Sequence, residues 1–397
     1  MKLKIRKKIL QVISATIAFC VCFAFLVGAE LPSQRGEHPE DVESDPLNLD
    51  CKSAILIEAN TNTVLYEKNA DEPLPPASVT KVMTLLLVME AIEEGRLAYG
   101  DTVRASANAC SMGGSQIYLR ENEEMSVEDL LKSVIIASAN DAAVALAEHI
   151  CGSEELFVEK MNEKAEKLGM TNTSFENTNG LDDTVTNHLT SARDIAIMSR
   201  ELIKYPKITE YSSIWMDSIR EGNFTLTNTN RLIRFYKGAT GLKTGSTDKA
   251  GFCISATAVR DEMSLICVVM GAETRDTRNS IATELLDYGF NNYRIFSNDG
   301  EKIENIPILK GEKATFEAEY RPIKLLVPKN TGKISAGISV SEKITAPIKK
   351  GDIVGVVSYT NGKEEICQID IIACESVDKC GFFNLFLQFL KKCAEIV

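Results

Sequence analysis

The sequence predicts a mixed α/β (α+β) domain, then a small all-β domain and a C-terminal amphipathic helix. Three observations carry that reading. Strand-like segments stand at both ends of a long helical middle, so one sheet is assembled from the two ends of the first domain. After about Ser297, strand and turn signals alternate without a helix. The last segment, "CGFFNLFLQFLKKCAEIV", puts Phe382, Phe386, Phe389, Leu390, Cys393 and Val397 on one side of a helix and polar residues on the other. With 397 residues the chain can bury two cores of ordinary size.

Taken in order, Lys2, Lys4, Arg6, Lys7 and Lys8 precede an apolar run from Ile9 to Val27 and then Val27-Gly28-Ala29. That is the layout of a secretory signal, cleaved after Ala29. An uncleaved anchor is the alternative, since the run is nearly long enough to span a bilayer. Residues 30–50 are acidic and aperiodic and read as a flexible leader. "SAILIEANTNTVLYEKNAD" reads as two strands joined at Asn60-Thr61-Asn62. Pro75 and Pro76 suit a helix entry, and the helix from Ala77 is apolar nearly all round between Val82 and Ile92, so it is buried. Gly95 stops it. From Ser126 to Gly180 the chain is mostly helical. "SVEDLLKSVIIASANDAAVALAEHICG" opens on a cap pattern and ends at glycine, and "SEELFVEKMNEKAEKLG" repeats the layout. "SARDIAIMSRELIKY" is a further helix. "AGFCISATAV" and "MSLICVVMGA" are strands turned at Arg260-Asp261-Glu262, and "NSIATELLDYGFNNY" is a closing helix. The expected divisions are 1–29, 30–50, 51–296, 297–376 and 377–397. The last reads as a helix lying on a membrane surface, its phenylalanines and lysines suiting the headgroup boundary; packing on its own domain is the alternative.

Charge and cysteine content exclude several functions. Losing the first 29 residues removes five basic residues and no acid, taking the formal net charge from −12 to −17. A surface this acidic argues against nucleic acid, whose binding rests on basic patches. Nine cysteines remain after Cys20 and Cys22 leave with the signal, so complete internal pairing is impossible. There is no C-x-x-C, and the three histidines are His38, His149 and His188, which disfavours a zinc site or a Cys-His protease. No G-x-S-x-G elbow is present either.

The chemistry starts at "PPASVTK". On a helix Ser78 and Lys81 share a face, at an N-terminus whose free N–H groups favour developing negative charge. An amine in apolar surroundings or near another cation is pushed toward neutrality and can take a proton from a serine hydroxyl. Alone, the pair reads equally as a helix cap beside a snorkelling lysine. "SANDAAVALAEH" adds Ser138 and Asn140, near the middle of the helical segment or in a turn between two helices. "GLKTGSTDKAG" adds Lys243, Thr244 and Gly245 at the start of a strand, where an exposed hairpin edge is the bland reading. Together and in order, S-x-x-K, S-x-N and K-T-G are far more specific, and match penicillin-recognising serine acyl enzymes.

The chain resembles the serine D-alanyl-D-alanine carboxypeptidases, the low-molecular-mass penicillin-binding proteins. The likeness runs from about Ser53 to the C-terminus and includes "ASVTKVMT", "HLTSARDIAI", "LLDYGFNNY" and "APIKKGDIVG". It implies a penicillin-binding/β-lactamase-like transpeptidase fold. It also implies that Ser78 attacks the bond between the terminal D-alanines of a peptidoglycan stem peptide, with Lys81 as base. Ser138 then relays the proton with Lys243, and Asn140 holds the substrate amide. Thr244, Lys243 and Arg278 meet the terminal carboxylate, Arg275 lying three residues before Arg278. The Ser78 and Ser246 N–H groups, beside Gly245, form the oxyanion hole. No cofactor or metal is called for. β-Lactams are expected as covalent inhibitors, and the location as the outer face of the cytoplasmic membrane. Ser246 stands where some relatives carry histidine, which leaves substrate range open. The alternatives are a class A β-lactamase-like hydrolase, for which no deacylating glutamate is evident, and an idle cell-wall-binding protein, against which the three intact motifs speak.

Overall fold

The computed structural model describes residues 47–183, 185–362, 364–381 and Phe386. The expected secretory signal, most of the expected leader and, Phe386 apart, the tail beyond Gly381 lie outside the described residues, and with them the membrane-helix reading. The first sheet holds β1 (Ser53–Glu58), β2 (Thr63–Lys68), β3 (Ala239–Thr247), β4 (Gly251–Arg260) and β5 (Met263–Ala272). Its order is β2-β1-β5-β4-β3, antiparallel throughout. Strand β1 pairs with β5 from Ser53 opposite Met270 to Glu58 opposite Leu265. The two ends of the domain therefore meet inside one sheet, as the strand signals at both ends predict.

Helices cover both faces, which is why β4 and β5 are apolar almost without alternation. On one face Ile55, Ile57, Ile266 and Val268 join the core of the helical half. That half contains α1 (Lys81–Glu93), α2 (Val127–Ile136), α3 (Asn140–Cys151), α4 (Glu154–Lys167) and α5 (Ala192–Leu202). The opposite face carries α6 (Arg275–Asn292), where Gly289 sits so close that a Cβ would lie 2.6 Å from Leu265. Helix entry is set locally: Ser126, Ser153, Ser191 and Thr274 each accept an N–H from the residue three further on. Helix α1 is buried on nearly every side, as its all-round apolar pattern requires.

Three local expectations change. The helix from Ala77 opens as a 3-10 turn, Ala77–Thr80, before α1 begins. The segment after Ser126 is two helices, broken at residues 137–139, with Ser138 at φ +62°. Lys243, Thr244 and Gly245 lie within β3 rather than at its start, because the small residues before them pair with β4, Ala239 opposite Ala258.

The second sheet has the order Glu301–Pro307, Thr315–Tyr320, Glu365–Ala373, Ile353–Thr360, Ser335–Val340, and a ribbon pairs Tyr293–Asn298 with Ile323–Pro328. Phe316, Val357, Tyr359 and Ile371 centre its core. Val377 and Lys379 bridge to Ile348 and Gly311, so the first residues assigned to the tail helix are extended. The reason is burial: Val377 belongs to this core.

The turn carrying Ser78 rests on Gly180. A Cβ there would stand 1.9 Å from the Ala77 carbonyl oxygen, and Gly180 has φ +83°. Gly152, at φ +87°, has open space around it. Gly152→Ala is expected to cost about 1 kcal/mol, the left-handed penalty alone. Gly180→Ala is expected to cost at least about 3 kcal/mol, since backbone must also move. Urea unfolding of the two variants measures the difference; equal losses would mean that the turn is not seated as described.

Candidate active site

The site forms where the 3-10 turn, the break between α2 and α3, and β3 converge. Strand β3 is an edge strand, so nothing in the sheet separates it from the turn. Gly245 permits their approach: a Cβ there would be 2.7 Å from the Ser78 nitrogen and 2.9 Å from that of Val79. Any side chain at 245 would push the strand off the Ser78 turn. That is the physical reason for glycine in K-T-G.

Lys81 opens α1 with its side chain fully buried. Its Nζ lies 2.9 Å from Ser78 Oγ, 2.6 Å from Asn140 Oδ1 and 2.8 Å from the Asn179 carbonyl oxygen. Burial pushes its pKa well below the ordinary lysine value, and the charge of Lys243 adds to that; Asp141 opposes it. A neutral amine has two N–H groups and one lone pair. Asn140 and the Asn179 carbonyl can only accept, so they take the two N–H groups. The lone pair is left facing the Ser78 hydroxyl.

Ser138 occupies the strained turn before α3 and is almost wholly buried. Lys243 Nζ donates to Ser138 Oγ at 2.8 Å and to the Thr244 carbonyl at 2.8 Å. Burial, with the Arg278 charge second, pushes Lys243 down to about 7. Asn140 is tied by its Nδ2 to the Gly113 carbonyl at 2.6 Å and by its backbone N–H to the Ser115 carbonyl at 2.7 Å. Thr244 Oγ1 lies 2.8 Å from Thr229 Oγ1. Arg278 is buried at the first turn of α6, where Nη1 reaches toward the Cys253 carbonyl at 3.4 Å. Burial pushes it down to about 10.

All nine sequence-predicted residues thus gather at one place. Ser78, Ser138, Thr244, Gly245, Ser246 and Arg278 line a cleft of about 670 Å³. Lys81, Asn140 and Lys243 stand behind its wall, buried and bonded to the lining residues or to one another. Among the described residues no cluster could hold a metal ion.

Sequence reading missed the supports. Asp141 is fully buried and accepts the N–H groups of Ile117, Leu119 and Ala142, anchoring the loop that holds Asn140. The Asn179 carbonyl reaches Lys81 because Gly180 turns the chain; the Asn-Gly pair was the available signal. His188 is buried beside the 3-10 turn. Its Nδ1 accepts the Glu176 N–H at 3.0 Å, so its proton is on Nε2, which donates to Thr80 Oγ1 at 2.7 Å. Thr80 in turn donates to the Ala77 carbonyl at 2.8 Å, bracing the turn that carries Ser78. Burial pushes His188 down to about 4, keeping it neutral.

Comparison with known proteins gives the family. Residues 40–274 match the peptidase S11 family, described as D-alanyl-D-alanine carboxypeptidase, and residues 290–379 match the penicillin-binding protein 5 C-terminal domain. The D-alanyl-D-alanine carboxypeptidase DacF of Bacillus subtilis is 43% identical over 351 residues, covering 86% of this chain and 89% of that protein. Penicillin binding protein 5 from Haemophilus influenzae superposes with a TM-score of 0.72 at 31% identity, covering 84% of this chain and 99% of that one. Penicillin-Binding Protein D2 from Listeria monocytogenes, solved in its cefotaxime bound form, gives 0.57 at 32% identity, covering 62% and 98%. With the S-x-x-K, S-x-N and K-T-G residues assembled on this fold, the chain belongs to the peptidase S11 family of serine D-alanyl-D-alanine carboxypeptidases.

Proposed function

We propose that Ser78 is the nucleophile of this carboxypeptidase and that Lys81 is its general base. The carrying observation is the buried Lys81 amine 2.9 Å from Ser78 Oγ, its two N–H groups already committed to acceptors. The substrate is a peptidoglycan stem peptide ending in D-Ala-D-Ala. Ser78 Oγ attacks the penultimate carbonyl as its proton passes to Lys81. The Ser78 and Ser246 N–H groups hold the oxyanion, each worth about 3 kcal/mol of barrier. Ser138, bonded to Lys243, passes a proton to the departing amine, and the D-alanyl C–N bond breaks. Asn140 holds the substrate amide, while Thr244, Lys243 and Arg278 meet the terminal carboxylate. Water then attacks the acyl-enzyme and regenerates Ser78. β-Lactams enter by the same acylation and leave slowly; a relative solved in its cefotaxime bound form supports β-lactam binding.

The chain is exported, and its C-terminal helix lies on the outer face of the cytoplasmic membrane. The catalytic domain (51–296) and the β-domain (297–376) hold the site away from that surface. Among the described residues no helix is long and apolar enough to cross a membrane. A chain ending at Gly381, which keeps the Val377 and Lys379 bridges, is expected to stay in the soluble fraction after signal cleavage, while the full chain sediments with membranes. Sedimentation of both would sink the anchor assignment.

Wild type is expected to release D-alanine from a D-Ala-D-Ala pentapeptide and to take up a fluorescent penicillin stoichiometrically. Ser78→Ala should lose both, by at least about 10⁴-fold in rate for an absent nucleophile. A labelled Ser78→Ala protein would overturn the assignment.

The pH dependence follows from the lysines. Lys81 works as a base only when neutral, so acylation rises with pH as it loses its proton; stopped-flow penicillin acylation measures this limb. Lys81→Arg, which cannot deprotonate, should be inactive at every pH. Stability moves the same way. Between about 7, where folded Lys243 titrates, and its ordinary 10.5, the unfolded chain binds more protons at this position. Stability at this site therefore rises with pH across that window. Denaturant midpoints of wild type against Lys243→Met test the sign: the variant should show a flatter dependence.

A further inference from the structure

Arg278 does not stand alone at its end of the cleft. Arg231, Arg234 and Arg275 line the same cleft, and no Asp or Glu side chain lines it. This is a concentration of positive charge on a chain whose net charge is −12. Burial is the main cause of the depressed Arg278; the charges of Arg275 and Arg231, both near it, press the same way, while Cys253 and Asp276 oppose them. Asp276 meets Arg231 at 3.7 Å, yet that carboxylate is 88% exposed, so it neutralises little. Among the described residues no carboxylate lies within 4 Å of Arg234 or Arg275. Arg234 is oriented by two rings, its guanidinium carbon 5.5 Å from the centroids of both Trp215 and Phe235.

One terminal carboxylate, already met by Thr244 and Arg278, leaves the other guanidinium groups unused. The cleft, at about 670 Å³, has room for a ligand far larger than an alanine leaving group. Uncompensated guanidinium groups in a concave wall are a ready recognition surface for carboxylate.

We propose that the leaving-group end of this cleft, through Arg231 and Arg275, recognises a departing residue that bears a second carboxylate besides the terminal one. The inference rests on the carboxypeptidase reading above, which puts the terminal carboxylate at Arg278. The bonds do not change: Ser78 Oγ bonds to the D-alanyl carbon, the C–N bond breaks, and the amine leaves with the proton relayed by Ser138. Only the leaving residue differs, being an acidic D-amino acid rather than D-alanine.

The test compares three synthetic peptides with the full-length enzyme: Nα,Nε-diacetyl-L-Lys-D-Ala carrying D-Ala, D-Glu or D-Gln at the C-terminus. D-Gln matches D-Glu in shape but lacks the second charge. Wild type is expected to cleave the D-Glu peptide with kcat/KM about tenfold above the D-Gln peptide. Arg231→Gln and Arg275→Gln should each pull that ratio toward one. Salt near about 1 M, where the Debye length is about 3 Å, should shrink it as well. Equal kcat/KM for D-Glu and D-Gln in wild type, with D-alanine still released from the D-Ala peptide, would overturn this proposal alone. Failure to cleave any of the three would remove the carboxypeptidase reading and this proposal together.

Discussion

The structure depends on holding one amine out of water beside one hydroxyl. Burying a charged lysine away from solvent, with no carboxylate in contact among the described residues, costs several kcal/mol, so burial pushes the Lys81 amine toward its neutral form. Its surroundings enforce this. The walls of α1 and the helical core exclude water, Lys243 adds like charge, and the two acceptors Asn140 and Asn179 use up the N–H groups. In the proposed mechanism, Ser78 is activated by what Lys81 is denied.

The rest of the domain reads as support for that arrangement. Asn140 reaches the amine from α3, anchored through the loop that Asp141 holds. Asn179 reaches it from the segment after α4, turned by Gly180 and braced through His188, Thr80 and the Ala77 carbonyl. Two residues in unfavourable backbone conformations, Ala77 at φ +49° and Ser138 at φ +62°, sit on the two sides of the site. Each such residue costs of order 1–3 kcal/mol and persists because neighbouring contacts over-determine it. A rigid sheet built from both chain ends then presents β3 against the turn, with glycine at the point of closest approach.

Electrostatics divide the cleft. Behind its inner wall stand two buried lysines, Lys81 beside Ser78 and Lys243 beside Ser138. The outer wall carries arginines that keep their charge even where burial lowers Arg278 to about 10. Arginine suits the outer role because its guanidinium stays protonated and offers a planar fork to a carboxylate. Lysine suits the inner role because its pKa moves readily on burial.

The strands at both ends of the helical middle, the buried character of α1, the all-β second domain and the three motifs whose residues gather at the cleft were legible in the sequence. Periodicity records which faces are apolar, and three spaced motifs record chemistry that bulk composition does not. What tertiary structure alone decided lies at contacts between distant segments. The break at residues 137–139, the depth of K-T-G within β3, the Asn179 carbonyl on Lys81 and the clustering of Arg231 with Arg275 and Arg278 all depend on neighbours many residues away. A backbone carbonyl has no signature of its own in a sequence, and a strained φ persists only where packing from elsewhere holds it. Local pattern therefore named the participants, and long-range packing set the distances at which they work.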